Sequence, residues 1–195
     1  MTGKDFEKVN ISDDELYRDY LAGNSSAGDE LMLRYSGPVT AYLDAFLHNA
    51  QDAEGLMLEC FAVILVDKPA ISEGNFRAYL FKVARNKANH LWKLRFRHQE
   101  FALDEEIIET LPDISATPEE NTIKSELHTT LHRCLNKIAP QYREALWLFY
   151  FCDLSYAQAA KIMKCSTKRI EDLLRNGKAR LRAEMEKEGV TNAYI

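Results

Sequence analysis

The chain has 195 residues, of which 46% are hydrophobic and 28% are charged, and its formal net charge is -5. These proportions are ordinary for globular proteins. The sequence contains no apolar run close to the roughly 20 residues that a membrane-spanning helix needs. Its start also lacks the basic residues followed by an apolar stretch that mark a secretory signal. We therefore expect a cytoplasmic protein with no direct membrane insertion.

Motifs for catalysis and for metal binding are missing from the sequence. The four cysteines are widely spaced and form no Cys-x-x-Cys pair, which suggests neither a zinc site nor a disulfide framework. The chain has no glycine-rich phosphate loop, no His-Glu-x-x-His and no Gly-x-Ser-x-Gly. The five histidines are most simply interpreted as residues of solvated helix faces. We therefore expect no enzyme activity, no catalytic residue, no cofactor, no metal and no small-molecule substrate.

The first half of the chain has the pattern of a helical bundle. Apolar residues recur at spacings of three and four, and Gly and Pro are scarce, which predicts an all-α fold. Ser12 and Glu15 have the spacing of a capping box and predict a helix start. In that helix Leu16, Tyr20 and Leu21 are expected to face inward. Four helices are predicted for this domain, residues 12–98. The first begins at residue 12 and the second at about residue 29, and the third and fourth span about 52–66 and about 75–98.

A linker and a second helical domain are predicted after residue 98. Residues 99–118 are rich in acids and are interrupted by Pro112 and Pro118, which is typical of a flexible linker. Helices are predicted over about 119–138 and 141–151 in the second domain, residues 119–187. The predicted fold class is therefore all-α, with two small helical domains joined by a flexible acidic linker.

The second predicted domain ends in two helices separated by a tight turn. Ser155 can cap a helix that runs through Met163, and Thr167 opens a longer helix after a turn of three residues. This is the spacing of a helix-turn-helix, a motif that places its second helix in the major groove of DNA. A plain helical hairpin with the same spacing is the alternative.

Positive charge is concentrated in two blocks, although the whole chain is acidic. Residues 76–98 contain seven basic residues and no acid, whereas residues 101–120 contain seven acids and no base. Residues 161–187 contain nine basic residues and four acids. Basic blocks of this kind favour binding to nucleic acid, because they can neutralise backbone phosphates.

The order of these features resembles the extracytoplasmic-function (ECF) group of bacterial RNA polymerase sigma factors. The segment Asp-Ala-Glu-Gly-Leu-Met-Leu-Glu-Cys-Phe at 52–61 is similar to the polymerase-docking helix of that family. Phe-Arg-Ala-Tyr-Leu at 76–80 and Val-Ala-Arg-Asn at 83–86 are similar to its helix for the promoter -10 element. Leu-Ser-Tyr at 154–156 and Ala-Lys-Ile-Met at 160–163 resemble the helices leading into its reader of the -35 element. The resemblance implies a region 2 domain at 12–98 and a region 4 domain at 119–187.

The resemblance also implies site residues. The residues implied for binding core RNA polymerase are Asp52, Glu54, Leu56, Glu59 and Phe61. The residues implied for the -10 element are Asn75, Phe76, Arg77, Tyr79, Lys82, Arg85, Asn86, Lys87, Lys93, Arg95 and Arg97. The residues implied for the -35 element are Thr167, Lys168, Arg169, Asp172, Arg175 and Lys178. Core packing is the alternative role for Phe76 and Tyr79, and ordinary stabilisation of a helix N-terminus is the alternative for the acids of the docking helix.

The sequence departs from the family pattern at several positions. Gly55 and Leu58 stand where the family usually has Asp and Gln, and Lys164 replaces a frequent turn glycine, which predicts a positive φ at a lysine. Glu171 and Asp172 lie on the presumed recognition helix, where carboxylates either bind cytosine amino groups or point away from DNA.

The resemblance implies a sigma factor that directs core RNA polymerase to promoter DNA and is regulated by an anti-sigma factor. Two other functions remain open from the sequence alone. A stand-alone helix-turn-helix regulator would bind DNA without polymerase, and a degenerate sigma-like protein would act through a regulatory partner. Transcription that depends on polymerase separates these alternatives.

Overall fold

The structure, a computed structural model, describes residues 11–100 and 122–190, and the side chains of 11–95 and 129–190. Within these ranges all regular structure is helical, as predicted, and no helix is long and apolar enough to cross a membrane. Glu100 ends a helix, so the predicted linker begins in helix, and the rest of it, 101–118, lies outside the described residues. The helices are α1 Asp13–Leu21, α2 Ser25–Leu47, α3 Ala50–Leu65, α4 Phe76–Glu100, α5 Thr122–Lys137, α6 Pro140–Leu146, α7 Tyr156–Met163 and α8 Thr167–Lys187.

The start of α1 confirms the predicted capping box. The Ser12 hydroxyl accepts a hydrogen bond from the Glu15 N–H at 3.2 Å, and the Glu15 carboxylate accepts one from the Ser12 N–H at 3.0 Å. Leu16 is buried, but Leu21 is 44% exposed, so its predicted inward orientation is wrong. Tyr17 is buried instead, and Leu21 is the last residue of α1, where the helix ends.

Helix α2 begins at Ser25, earlier than predicted, and continues through Pro38. Its close packing on α1 depends on Gly28, where a Cβ atom would lie 2.7 Å from Cδ2 of Tyr20. The Tyr20 hydroxyl donates a hydrogen bond of 2.6 Å to the carbonyl of Leu65 at the end of α3. The first three helices are therefore joined at one end of the bundle.

Helices α1–α4 form the first half of the structure, and α5–α8 form the second half. The core of the first half lies between α2, α3 and α4. Tyr42 on α2 and Phe81 on α4 meet edge to face, with ring centroids 5.5 Å apart. Burying side chains of this size contributes roughly 1.5–3 kcal/mol each. The largest fully buried side chains of this half are Tyr42, Phe61, Phe76, Phe81, Leu31, Leu43, Ile64 and Leu80.

In the second half, α6 starts with Pro140 and passes into a π-helical turn, Trp147–Phe151. The Cys152 N–H donates to the Trp147 carbonyl at 3.0 Å, which closes this wider turn. Helix α8 packs against α6 at Gly177, where a Cβ would lie 3.3 Å from Leu146. The predicted helix over about 141–151 is therefore correct in extent but not uniformly α-helical.

The helix-turn-helix spacing is confirmed in α7 and α8. The Ser155 hydroxyl accepts from the Gln158 N–H at 3.3 Å, and the Ser166 hydroxyl accepts from the Arg169 N–H at 3.2 Å, so both helices are capped. Between them Lys164 has φ 54° and ψ 49°, the left-handed conformation that the missing turn glycine predicts. The residues that join the two helices in the core are Ala159, Ala160, Ile162, Ile170, Leu173 and Leu174.

Candidate nucleic-acid interface

The outer face of α4 carries the exposed basic and polar side chains that the sequence predicts for DNA. Lys82, Asn86 and Lys93 are exposed along this helix, and Lys87 is half-buried. Side chains on one helical face with such spacing can reach several phosphates of a duplex backbone. Arg97 lies in α4, but its side chain is outside the described residues.

Two arginines of α4 are held by carboxylates of the second half. Arg85 donates from Nε to Oε1 of Glu144 at 2.5 Å and from Nη2 to Oε2 at 3.3 Å. Arg77 donates from Nη1 to Asp153 Oδ2 at 2.9 Å. Burial lowers the pKa of Arg85, but the hydrogen bond and the charge of Glu144 outweigh it, so this pKa is raised. In this conformation both guanidinium groups bind protein carboxylates, although Arg77 is still partly exposed to solvent.

The carboxylates that hold these arginines were not predicted from the sequence. Glu144 lies between Arg143 and Ala145 in a segment where six consecutive residues, 143–148, are buried. A charged residue within a buried run is rarely unpaired, and this is the signal that could have indicated a buried ion pair. The sequence contains no signal for which cation pairs with it.

The start of α4 corrects one predicted role. Phe76 is 1% exposed, and its ring centroid lies 5.3 Å from that of Tyr17 and 5.8 Å from that of Tyr35. It is a core residue, because α1 and α2 enclose it, and it cannot stack on an extruded base in this conformation. Tyr79 is half-buried against the same core. Asn75 orders the preceding loop by donating to the Glu73 carbonyl at 3.0 Å.

Helix α3 has two different faces, and the predicted polymerase residues are divided between them. Leu56 is 9% exposed and Phe61 is 2% exposed, so both belong to the core and neither is available to fill a pocket of a partner. Asp52 pairs with Arg95, and Glu59 pairs with Lys87 at 2.8 Å. Two acids that were predicted to bind polymerase are thus paired with cations that were predicted to bind DNA. Glu54 is exposed.

A groove between α2 and α3 was not predicted. It has a volume of about 570 Å³ and is lined by residues that include Glu54, Met57 and Leu58. Leu58 is 55% exposed and Leu33, on α2, is 76% exposed. Large apolar side chains exposed beside a groove are typical of a protein-binding surface. The sequence signal for this surface was one leucine on each helix, Leu33 and Leu58, that lies off the face formed by the buried residues.

The N-terminal end of α8 presents the side chains predicted for the -35 element. Thr167, Lys168 and Arg169 are exposed, and Arg169 donates to Gln141 at 3.3 Å. Asp172 accepts a hydrogen bond of 2.5 Å from Arg175, so the carboxylate that departs from the family pattern is paired within its own helix. Lys178 lies over the ring of Tyr150, 4.7 Å from its centroid.

Sequence comparisons relate this chain to known sigma factors. Residues 128–181 match the family model described as Sigma-70, region 4. The RNA polymerase sigma-H factor of Pseudomonas aeruginosa is 31% identical over 166 residues, which cover 78% of this chain and 83% of the relative. The ECF RNA polymerase sigma factor SigM of Bacillus subtilis is 25% identical over 155 residues, which cover 80% of this chain and 93% of SigM.

Solved structures with the same fold include proteins from two complexes. CnrH in complex with the cytosolic domain of CnrY has a TM-score of 0.61 at 18% identity and covers 88% of this chain and 96% of CnrH. RpoE of Bartonella quintana in complex with the anti-sigma factor NepR has a TM-score of 0.63 at 21% identity and covers 81% and 96%. Because the Pseudomonas relative matches most of both chains and residues 128–181 match region 4, this chain belongs to the bacterial RNA polymerase sigma factors, among which its relative SigM is an ECF member.

Proposed function

We propose that the two halves of the chain divide the work of a sigma factor between them. The chain binds core RNA polymerase and directs it to promoters for transcription initiation. Residues 12–98 form the region 2 domain, which docks on polymerase and binds the -10 element, and residues 119–187 form the region 4 domain, which reads the -35 element. The observation that carries this division is the capped helix-turn-helix within the part matched to region 4, preceded in the chain by the basic helix α4.

The DNA-binding residues follow from this division. The N-terminal end of a recognition helix contacts base edges, and here it presents Thr167, Lys168 and Arg169. An arginine at that position can bind guanine through two hydrogen bonds. On α4, Lys82 and Lys93 supply phosphate contacts, which contribute affinity without sequence specificity.

The polymerase-binding surface is the groove between α2 and α3. Glu54 and Leu58 line it and are exposed, and Leu33 is a further exposed apolar residue of α2. Asp52 and Glu59 join this surface only if they exchange Arg95 and Lys87 for cations of the polymerase. Such exposed ion pairs contribute little, about 0–1 kcal/mol, so an exchange is energetically accessible.

We also propose that an anti-sigma factor binds this chain. The structure of RpoE was solved in complex with the anti-sigma factor NepR, and RpoE shares the fold of this chain. A protein that covers the exposed apolar residues of α2 and α3 would prevent docking on polymerase. The proposed role requires no catalysis, metal or cofactor from this chain, and it places the protein in the cytoplasm with the polymerase.

Run-off transcription from a promoter library tests the proposal. Core RNA polymerase of the native organism is used with and without the full chain, and Arg169→Ala is compared with the unchanged protein. We expect transcripts that share two spaced upstream elements, and a loss of preference at one position of the -35 element for the variant. Absence of both transcription and polymerase binding would contradict the proposal and favour a stand-alone regulator or a degenerate sigma-like protein.

A further inference from the structure

The two halves of the chain meet through the basic side chains of α4. Arg85 forms two hydrogen bonds with the carboxylate of Glu144, and Arg77 forms one with Asp153. Both arginines belong to the helix that the proposed function assigns to DNA. The surface of α4 that carries them faces α6 and the turn before α7 instead of solvent.

The pair between Arg85 and Glu144 is the more protected of the two. The side chain of Arg85 is 17% exposed and that of Glu144 is 7% exposed. The Tyr42 hydroxyl donates a further hydrogen bond of 3.1 Å to Oε1 of Glu144. The buried carboxylate therefore has partners from two helices of the first half, α2 and α4, and its negative charge is compensated by Arg85.

The second contact is more open and more easily exchanged. The side chain of Asp153 is 91% exposed, whereas that of Arg77 is 35% exposed and also lies 3.6 Å from Asp13. Beside it Gln158 donates to the carbonyl of Gly74 at 3.0 Å, so the start of α7 is joined to the loop before α4. These contacts extend along the helix from Arg85 towards its N-terminus.

The geometry of both contacts matches that of phosphate recognition. A guanidinium group binds a carboxylate and a phosphate through the same planar arrangement of N–H donors. Arg85 uses two nitrogens on the two oxygens of Glu144, which is the bidentate form of this interaction. A carboxylate in this place therefore occupies the donors that a backbone phosphate would need.

The interface between the halves contains open space and polar side chains beside its apolar contacts. Cavities of about 870 Å³ and 370 Å³ lie along it, and their walls include Asp13, Arg77, His48 and Arg143. Interfaces that stay closed are well packed and apolar, whereas polar interfaces between domains permit relative motion. The charged groups of this interface become solvated when the halves part, which reduces the free energy needed for opening.

We propose that Glu144 and Asp153 act as internal substitutes for DNA phosphates, so that the closed chain and the DNA-bound chain exclude each other. The closed chain holds Arg85 and Arg77 away from non-specific DNA until the halves separate. The proposal rests on the proposed function, because it takes α4 as a DNA-binding helix. Glu144 is a positioning residue here, acting on DNA binding through Arg85.

Two measurements on the full chain without polymerase test this role. Small-angle scattering gives the radius of gyration, and a labelled duplex of arbitrary sequence gives the affinity for non-specific DNA. Glu144→Gln removes the charge and keeps the side-chain shape. Glu30→Gln is the control, because it makes the same change in net charge on α2, where Glu30 pairs with Arg34 within the helix.

We expect Glu144→Gln to increase the radius of gyration by several ångströms from the roughly 16 Å of a compact chain of this length. We also expect it to bind the duplex about tenfold more tightly than Glu30→Gln, since removal of one partner frees the other. Equal radius and equal affinity for the two variants would overturn the proposal. Asp153→Asn, at an exposed residue, should shift both values in the same direction by less, and it keeps the test decisive if Glu144→Gln fails to fold.

Failure of this inference can be distinguished from failure of the proposed function. Arg85→Ala is assayed in the polymerase complex, where the salt dependence of promoter binding reports phosphate contacts. A lower salt slope for Arg85→Ala together with no effect of Glu144→Gln on the free chain would leave the proposed function standing and remove the inference. An unchanged slope for Arg85→Ala would remove Arg85 from the DNA face, and the inference with it.

Discussion

Lys164 forms the turn between α7 and α8 in a backbone conformation that lowers the stability of the folded chain. It occupies the left-handed region with φ 54°, which is strained for any residue with a Cβ atom. We expect Lys164→Gly to raise the free energy of unfolding by about 1 kcal/mol, measured by urea denaturation. Lys161→Gly, at an exposed position within α7, should lower it by about 1 kcal/mol. A loss of stability in both variants would show that the left-handed conformation does not strain Lys164.

His48 links the stability of the folded chain to pH. Arg143 donates to its Nε2 at 3.0 Å, so the imidazole accepts as the neutral form. Burial lowers the pKa of His48 below its ordinary value of 6.5, and the charge of Arg143 lowers it further, while Asp44 opposes both. The folded state therefore binds this proton less readily than the unfolded state. Its contribution is complete above pH 6.5 and is lost as the pH falls from that value through the lower pKa of the folded state.

The pH dependence can be measured by denaturation between pH 8 and pH 5.5. We expect the free energy of unfolding to fall towards acid, with a slope from this residue of at most about 1.4 kcal/mol per pH unit. His48→Asn is the matched control, because Asn tolerates the left-handed conformation that His48 adopts at φ 53° but does not titrate. An identical pH profile for the two proteins would mean that His48 does not couple folding to pH.

At the scale of single helices, α4 separates the affinity of DNA binding from its specificity. Lys82 is exposed on its outer face and is a phosphate contact in the proposed function. We expect Lys82→Ala to reduce the slope of log K against log salt by about 1, equally for all promoter sequences. Lys187→Ala, at the far end of α8, removes the same charge and should leave the slope unchanged. Equal slopes for the two variants would exclude Lys82 from the interface.

Helix α3 permits a test of the polymerase-binding groove. Gly55 has no atom within 4 Å of an added Cβ, so larger side chains fit there. We expect Gly55→Ala to stabilise the chain by about 1 kcal/mol through helix propensity alone, without changing polymerase affinity. Gly55→Asp restores the residue usual in the family and should increase polymerase affinity, measured by competition for core enzyme. An equal increase for both variants would assign the gain to helix stability instead of to the carboxylate.

At the scale of the whole molecule, the cysteines report whether the halves are closed. Burial raises the pKa of Cys60, inside the first half, to about 12, and burial also raises the pKa of Cys152, which borders the cavity between the halves. Cys165 is only half-buried. Cys134 is also buried, and burial raises its pKa. We expect iodoacetamide to modify Cys165 first, because the other three thiols are protected and largely protonated.

The Glu144→Gln variant makes this labelling specific. Opening of the halves should expose Cys152 while Cys60 stays inside its bundle, so only Cys152 should react faster, as followed by mass spectrometry of peptides. Acceleration of both cysteines together would indicate unfolding of the chain and would contradict separation of intact halves.

The local structure of this protein and its family could both be predicted from the sequence. The caps at Ser12 and Ser155 and the left-handed turn at Lys164 are set by residues within four positions of one another, so the chain contains all the information that they need. Helix spacing predicted the all-α fold for the same reason. The order of motifs indicated the ECF group, which the comparisons confirm.

Which side chains are available for binding depends on tertiary packing and could not be predicted from the sequence. Phe61 and Phe76 carry the residue types expected of contact residues, but neighbouring helices bury them. Arg85 is basic at the predicted position, yet its partner Glu144 lies 59 residues away along the chain. A helical pattern specifies which face of a helix is apolar, but it doesn't specify which helix will cover that face. The pairing of charges across two distant segments depends on how those faces pack, and therefore appears only in the folded molecule.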